Sequence, residues 1–70
     1  METLGEFVKR KRIEVKLTQE EFAERSGVAL TFIRKIEQGK GNLNLEKVNQ
    51  VLKMFGHVLA PVNRRDIKKT

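Results

Sequence analysis

The 70-residue chain has no cysteine, no tryptophan and no tyrosine, and only one proline, one histidine, one serine and one aspartate. Each shortage closes a route. Without cysteine there are no disulfides and no thiolate metal sites, a composition that fits a reducing cytosol. With so few nucleophiles and bases, neither a catalytic pair nor a metal cluster is readily assembled, so no enzyme, no metal and no cofactor is expected. Gly39-Lys-Gly-Asn42 lacks the spacing of a phosphate-binding loop and reads as a turn. The longest apolar stretch, Val58 to Val62, is far short of the roughly 20 residues a spanning helix needs. Met1 to Phe7 carries acids and lacks a long apolar run, which argues against a signal peptide or membrane anchor. A soluble, cytoplasmic protein is the expectation.

What the chain does have is positive charge. Fifteen Lys and Arg stand against nine Asp and Glu, a net charge of +6 and a pI near 10.1. The excess is uneven: residues 1–56 hold 11 basic and 8 acidic residues (+3), and residues 57–70 hold 4 and 1 (+3). One domain is the ceiling at this length. Chains this small bury only about 60% of the surface exposed on unfolding and are marginal without a staple. With disulfides and thiolate metal sites excluded, oligomerisation is the staple that remains.

Caps and periodicity locate four helices. Thr3 with Glu6 forms a capping box, and Leu4, Phe7, Val8 and Val15 recur at helical spacing, predicting a first helix over Leu4 to Val15. Thr18 with Glu21 forms a second box. It starts a helix near Gln19 that carries Phe22 and Ala23 inward and stops before Gly27. A third helix is expected over Leu30 to Gln38, with Ile33 and Ile36 inward and Gly39 ending it. Asn44 can cap a fourth, with Leu45, Val48, Leu52 and Phe55 on one face and Gly56 as the stop.

After Gly56 the pattern changes. His57-Val-Leu-Ala-Pro-Val62 is short, apolar and bounded by Gly56 and Asn63, which reads as one strand. Pro61 lacks an amide donor and belongs at an edge or strand end. A single strand cannot stand alone, so two copies of the chain would each contribute one, through His57, Val58, Leu59, Ala60 and Val62. The alternative is an apolar tail collapsed on the fourth helix. Residues 1–62 are thus expected to form the domain, and the basic residues 63–70 a flexible tail.

Gln19 to Ile36 is the informative segment. Ala23 is small where two helices cross closely, Gly27 makes the sharp turn, and Val28, Ile33 and Ile36 fill the angle. A small residue, a glycine and a β-branched residue four, eight and fourteen positions after Gln19 meet the steric needs of a helix-turn-helix. The run L-T-Q-E-E-F-A-E-R-S-G-V-A-L-T-F-I-R-K-I-E-Q-G-K, Leu17 to Lys40, resembles the helix-turn-helix of the phage lambda and 434 repressor class, the Xre-type regulators. The F-I-R-K-I-E-Q-G-K phrasing and the G-H-V-L-A-P-V strand further resemble the HipB-type regulators, which pair with HipA-like serine/threonine kinase toxins.

The resemblance implies a mainly α, lambda-repressor-like fold of four helices, with a short C-terminal β-strand forming an intersubunit sheet. It implies a homodimeric repressor on double-stranded DNA, reading a palindromic operator in the nucleoid, with no membrane partner. The family's third helix lies in the major groove, which exposes Leu30, Thr31, Arg34 and Lys35 to bases or phosphates. Leu30 can offer apolar contact only, and could equally pack against a partner subunit. Gln19 looks like the family glutamine that clamps a phosphate, and Lys40 and Asn42 fall where backbone contacts are made. Arg12 and Glu37 match a structural ion pair tying the recognition helix to the scaffold. Lys9, Arg10 and Lys11 read as solvated. Ala29 departs from the usual Ser or Thr cap before the recognition helix, a loss of about 1 kcal/mol. A second reading makes toxin docking the main activity, although the tryptophan some HipB relatives use for it is missing.

Overall fold

Helix formation follows the caps in the computed structural model, which describes residues 2–66. The elements are α1 (Leu4–Glu14), α2 (Gln19–Ser26), α3 (Leu30–Gln38) and α4 (Leu45–Lys53), followed by one 3-10 turn over Arg64–Asp66. Both capping boxes close. The Glu6 amide donates to Thr3 Oγ1 at 3.1 Å and the Thr3 amide to Glu6 Oε1 at 2.9 Å, with the same distances for Thr18 and Glu21. Asn44 Oδ1 accepts from the Lys47 amide at 3.2 Å and starts α4. Helix α3 begins at Ala29 without any side-chain cap.

Three helices end in one way. Beyond α3 the Lys40 amide reaches back to Lys35 O and the Gly39 amide to Ile36 O, around a left-handed Gly39. The same pair of bonds runs from His57 to Leu52 O and from Gly56 to Lys53 O. Both are Schellman ends, which satisfy orphan carbonyls through a residue of positive φ. The third instance, after α1, uses Lys16 at φ 59°, where glycine would carry no side-chain penalty.

Helix α3 is central, packed on α1 from one side and on α2 from the other. Phe22, Ile33, Ile36, Val8, Val48 and Val51 are fully buried, with Ala23, Val28 and Leu52 beside them. Phe55 stacks on Phe22 with ring centroids 5.4 Å apart. Burying a side chain of this size stabilises by about 1.5–3 kcal/mol, so these few residues carry most of the fold. At the α2 end, the Gln50 amide of α4 donates to Ser26 O at 2.8 Å.

Several expectations need correction. Helix α1 stops at Glu14, and Val15, at the start of the Schellman turn, is rotated outward and 52% exposed. In α4, Leu45 is 67% exposed: it is the first residue of the helix and lies beyond the end of the core. Val51, on the same 3.6-residue stripe as Val48 and Leu52, is buried instead. Helix α4 ends at Lys53, because Met54 and Phe55 bond back three residues to Val51 O and Leu52 O and tighten the last turn. No strand is present among the described residues, since residues 57–62 have no second strand in a single chain to form a ladder with. Of the expected flexible tail, 63–66 holds the 3-10 turn, in which the Arg65 amide donates to Asn63 Oδ1 at 2.9 Å. Residues 67–70 lie outside the described residues.

Candidate nucleic-acid interface

The inward stripe of α3, Ile33 and Ile36, leaves Thr31, Arg34, Lys35 and Gln38 on the opposite side, all exposed. Leu30 is half-buried and packs against the core, so only part of it faces outward. Arg34 Nη2 lies 3.8 Å from Glu20 Oε1, with both side chains largely in water. Such a pair holds the guanidinium loosely and is easily exchanged for another anion. The Lys35 stem runs over Gly41, where an added Cβ would stand 2.8 Å from Lys35 Cε. Lys40 and Asn42 sit exposed in the turn between α3 and α4.

Beneath this surface is an anchor. Arg12 of α1 holds Glu37 of α3 in a two-pronged pair, Nε to Oε2 at 2.8 Å and Nη2 to Oε1 at 3.0 Å. Its third arm, Nη1, donates to Leu17 O at 2.7 Å, in the link to α2. The two side chains are 11% and 5% exposed. The hydrogen bonds to Glu37 raise the Arg12 pKa above its ordinary value, against the opposing effect of desolvation. Glu37 Oε1 also accepts from Gln19 Nε2 at 3.2 Å. One carboxylate on α3 therefore gathers α1, the link and the start of α2.

Sequence reasoning passed over Gly5 and Gln38 in this region and read Lys9 as solvated, as its exposure shows. Gly5 of α1 lies against the last turn of α3, where a Cβ would meet Ile36 O at 2.5 Å and Glu37 O at 3.0 Å. Only a residue without a side chain lets the helices approach this closely, and no local pattern announces a tertiary contact. Lys9 and Gln38 line, with Thr18, Gln19 and Glu20, a concavity of about 520 Å³ whose floor is the Arg12–Glu37 pair. Gln38 stands one helical turn after Arg34, a spacing that could have marked it.

The arm after Gly56 is held through His57 and Leu59. The His57 Nδ1–H donates to Phe55 O at 2.7 Å, and its ring meets Phe7 edge-on at 4.9 Å. The Leu59 amide donates to Asn49 Oδ1 of α4 at 2.7 Å. Val58 and Val62 are 68% and 65% exposed, and Ala60 is also exposed.

A family model described as helix-turn-helix matches residues 8–58, from buried Val8 to the first residues of the arm. The chain belongs to the helix-turn-helix family. In its terms α2 is the first helix of the motif, Gly27 the turn, and α3 the second helix, whose outer side carries Thr31, Arg34 and Lys35. A relative 42% identical over 65 residues, covering 89% of this chain and 86% of its own length, is the "Uncharacterized HTH-type transcriptional regulator y4mF" of Sinorhizobium fredii (strain NBRC 101917 / NGR234). No solved structure matches the chain significantly. Among the described residues, no cluster of three or more His, Asp or Glu could hold a metal ion, and no helix is long and apolar enough to cross a membrane.

Proposed function

We propose that this helix-turn-helix protein is a sequence-specific DNA-binding transcriptional repressor, acting as a homodimer on a palindromic site. The observation that carries the reading is the construction of α3. Its inner side is fixed by Arg12, Glu37 and the Gly5 approach, while Thr31, Arg34 and Lys35 are exposed on its outer side. A recognition helix needs this combination, because base-edge hydrogen bonds discriminate only when their donors are held in register. Arg34 and Lys35 donate to guanine or phosphate, Thr31 to either, and the exposed part of Leu30 meets a thymine methyl. Gln19, Lys40 and Asn42 contact the backbone around them. The relative's description as a transcriptional regulator points the same way.

The test is a mobility-shift titration on the DNA upstream of the chain's own gene, over a salt series. Binding tighter than to random DNA, weakening as salt rises, supports the reading; equal affinity for both overturns it. Arg34→Ala lowers affinity by about 1–3 kcal/mol and relaxes preference at one base pair, whereas Lys40→Ala weakens all sequences alike and reduces the salt slope by about one.

The narrower reading is that of a HipB-like antitoxin repressing an operon it shares with a HipA-like kinase. It rests on the Phe32 to Lys40 phrasing and the arm from Gly56 to Val62. Co-purification of the chain with the product of a neighbouring kinase gene tests it; failure to associate leaves a stand-alone phage-type repressor.

A further inference from the structure

We infer that Lys47 of α4 is a further DNA-backbone contact, joined with Lys35 and Lys40 in one row of phosphate contacts along the α4 flank of α3, so that base reading falls to Leu30, Thr31 and Arg34. This rests on the DNA-binding reading above and divides the exposed groups of that surface between two tasks.

The two flanks of α3 follow from helix geometry. At about 100° per residue, Arg34 and Phe32 stand about 200° apart and lie to either side of the outward-facing Thr31. The Arg34 flank faces α2, where Glu20 Oε1 lies 3.8 Å from Arg34 Nη2. The Phe32 flank faces α4. There the Lys47 ammonium stands over the half-buried Phe32 ring, 6.0 Å from its centroid. Lys47 is itself exposed, so α4 delivers an open positive charge to the edge of the recognition helix.

Lys35, three residues after Phe32, belongs to the same flank. Helical side chains ordinarily lean back toward the N-terminus of their helix. Lys35 runs the other way: its Cε and Nζ lie 2.8 Å and 3.4 Å from where a Cβ on Gly41 would stand, beyond the C-terminal end of α3. The missing side chain of Gly41 leaves room for this path. Base edges are met by the N-terminal residues of a recognition helix. Lys35 is therefore drawn away from them and toward the loop that carries Lys40.

Charge separates the flanks in the same way. On the α2 side an acid, Glu20, stands against Arg34. Among the described residues no ion pair engages Lys35, Lys40 or Lys47. Glu46, next to Lys47 in sequence, is turned about 100° around α4 from it. Three ammonium groups from α3, the loop and α4 thus make one positive edge. Compact charges on flexible stems suit a line of phosphates, whereas the planar fork of Arg34 suits guanine O6 and N7.

The test is binding to the upstream DNA and to random DNA over a salt series, with single base-pair changes across the upstream site. Lys47→Met keeps the stem over Phe32 and removes the charge. It and Lys35→Met should each lower the slope of log affinity against log salt by about one, and weaken both DNAs alike, roughly fivefold near 0.15 M salt. Base preference should not change, and Lys47→Arg should restore the slope. Lys53→Met, at the exposed far end of α4, should leave the slope as it is. A Lys47→Met slope equal to that of the parent chain overturns the Lys47 contact. Relaxed preference at one base pair in Lys35→Met makes Lys35 a base reader and overturns the division. If the parent chain binds both DNAs equally while Lys47→Met still loses slope, the operator reading fails and the phosphate row stands; binding to neither DNA overturns both.

Discussion

The helical body and the arm after Gly56 draw on the same apolar residue types, yet one hides them and the other leaves them in water. Val8, Val48 and Val51 are at most 1% exposed, whereas Val58 and Val62 are at least 65% exposed. The difference lies in what surrounds them. The body's valines share one buried cluster with Phe22, Ile33 and Ile36, while among the described residues the arm reaches its own domain through His57, the Leu59 amide and the concavity beside Leu45. The body closes within one chain and the arm does not. Stability and association should therefore separate cleanly between them.

The largest expected effect comes from breaking the anchor. Glu37→Ala strands the nearly buried Arg12 guanidinium without its partner and should lower unfolding free energy by about 3–5 kcal/mol, measured by urea denaturation. A loss below about 1 kcal/mol would mean that the pair does not hold α3 to the scaffold. Gly5→Ala should cost about 1–3 kcal/mol, because the new methyl meets main-chain carbonyls of α3 that cannot move aside alone. Neither change should alter the proposed dimerisation among molecules that remain folded.

Acid should act on the body through its caps. The Thr3 amide holds the Glu6 carboxyl below its ordinary value, and the Thr18 amide does the same for Glu21. A carboxyl depressed in the fold contributes stability that is complete above its unfolded pKa, near 4.5, and is lost as pH falls through the lower folded value. Tm should therefore drop below about pH 4.5, and the double variant Glu6→Gln with Glu21→Gln, which keeps the capping geometry, should flatten that limb. An unchanged limb would place the acid sensitivity elsewhere. The smallest effect on stability belongs to the arm. Val58→Lys should change the unfolding free energy by less than about 0.5 kcal/mol while abolishing the proposed association by sedimentation; a larger loss would make the arm part of the core.

The same division governs what could be read before the fold was known. The starts of α1, α2 and α4 are written locally, in Thr3 with Glu6, Thr18 with Glu21, and Asn44, because a cap acts over three residues. Periodicity named Ile33, Ile36 and Val48 but assigned Leu45 inward and passed over Val51, since a stripe gives direction and not where the core ends. Gly5 and the Gln19–Glu37 bond join residues far apart in sequence, and nothing near either partner reports them. Residues 57–62 read as a strand from their composition, while the ladder that defines a strand needs a second segment the single chain lacks.

The bond from Gln19 to Glu37 has one more consequence. Fixing a free glutamine side chain costs about 1.5–2 kcal/mol of rotamer entropy. Here that ordering is completed during folding, with one N–H of the amide committed to the carboxylate and the other still free. In the proposed DNA contact, a phosphate at the start of α2 would meet a donor already ordered. The gain should appear as a smaller entropic opposition to the proposed DNA binding, so Gln19→Ala, which leaves the Arg12–Glu37 pair in place, should weaken association measured by calorimetry mainly in enthalpy, with little compensating gain in entropy.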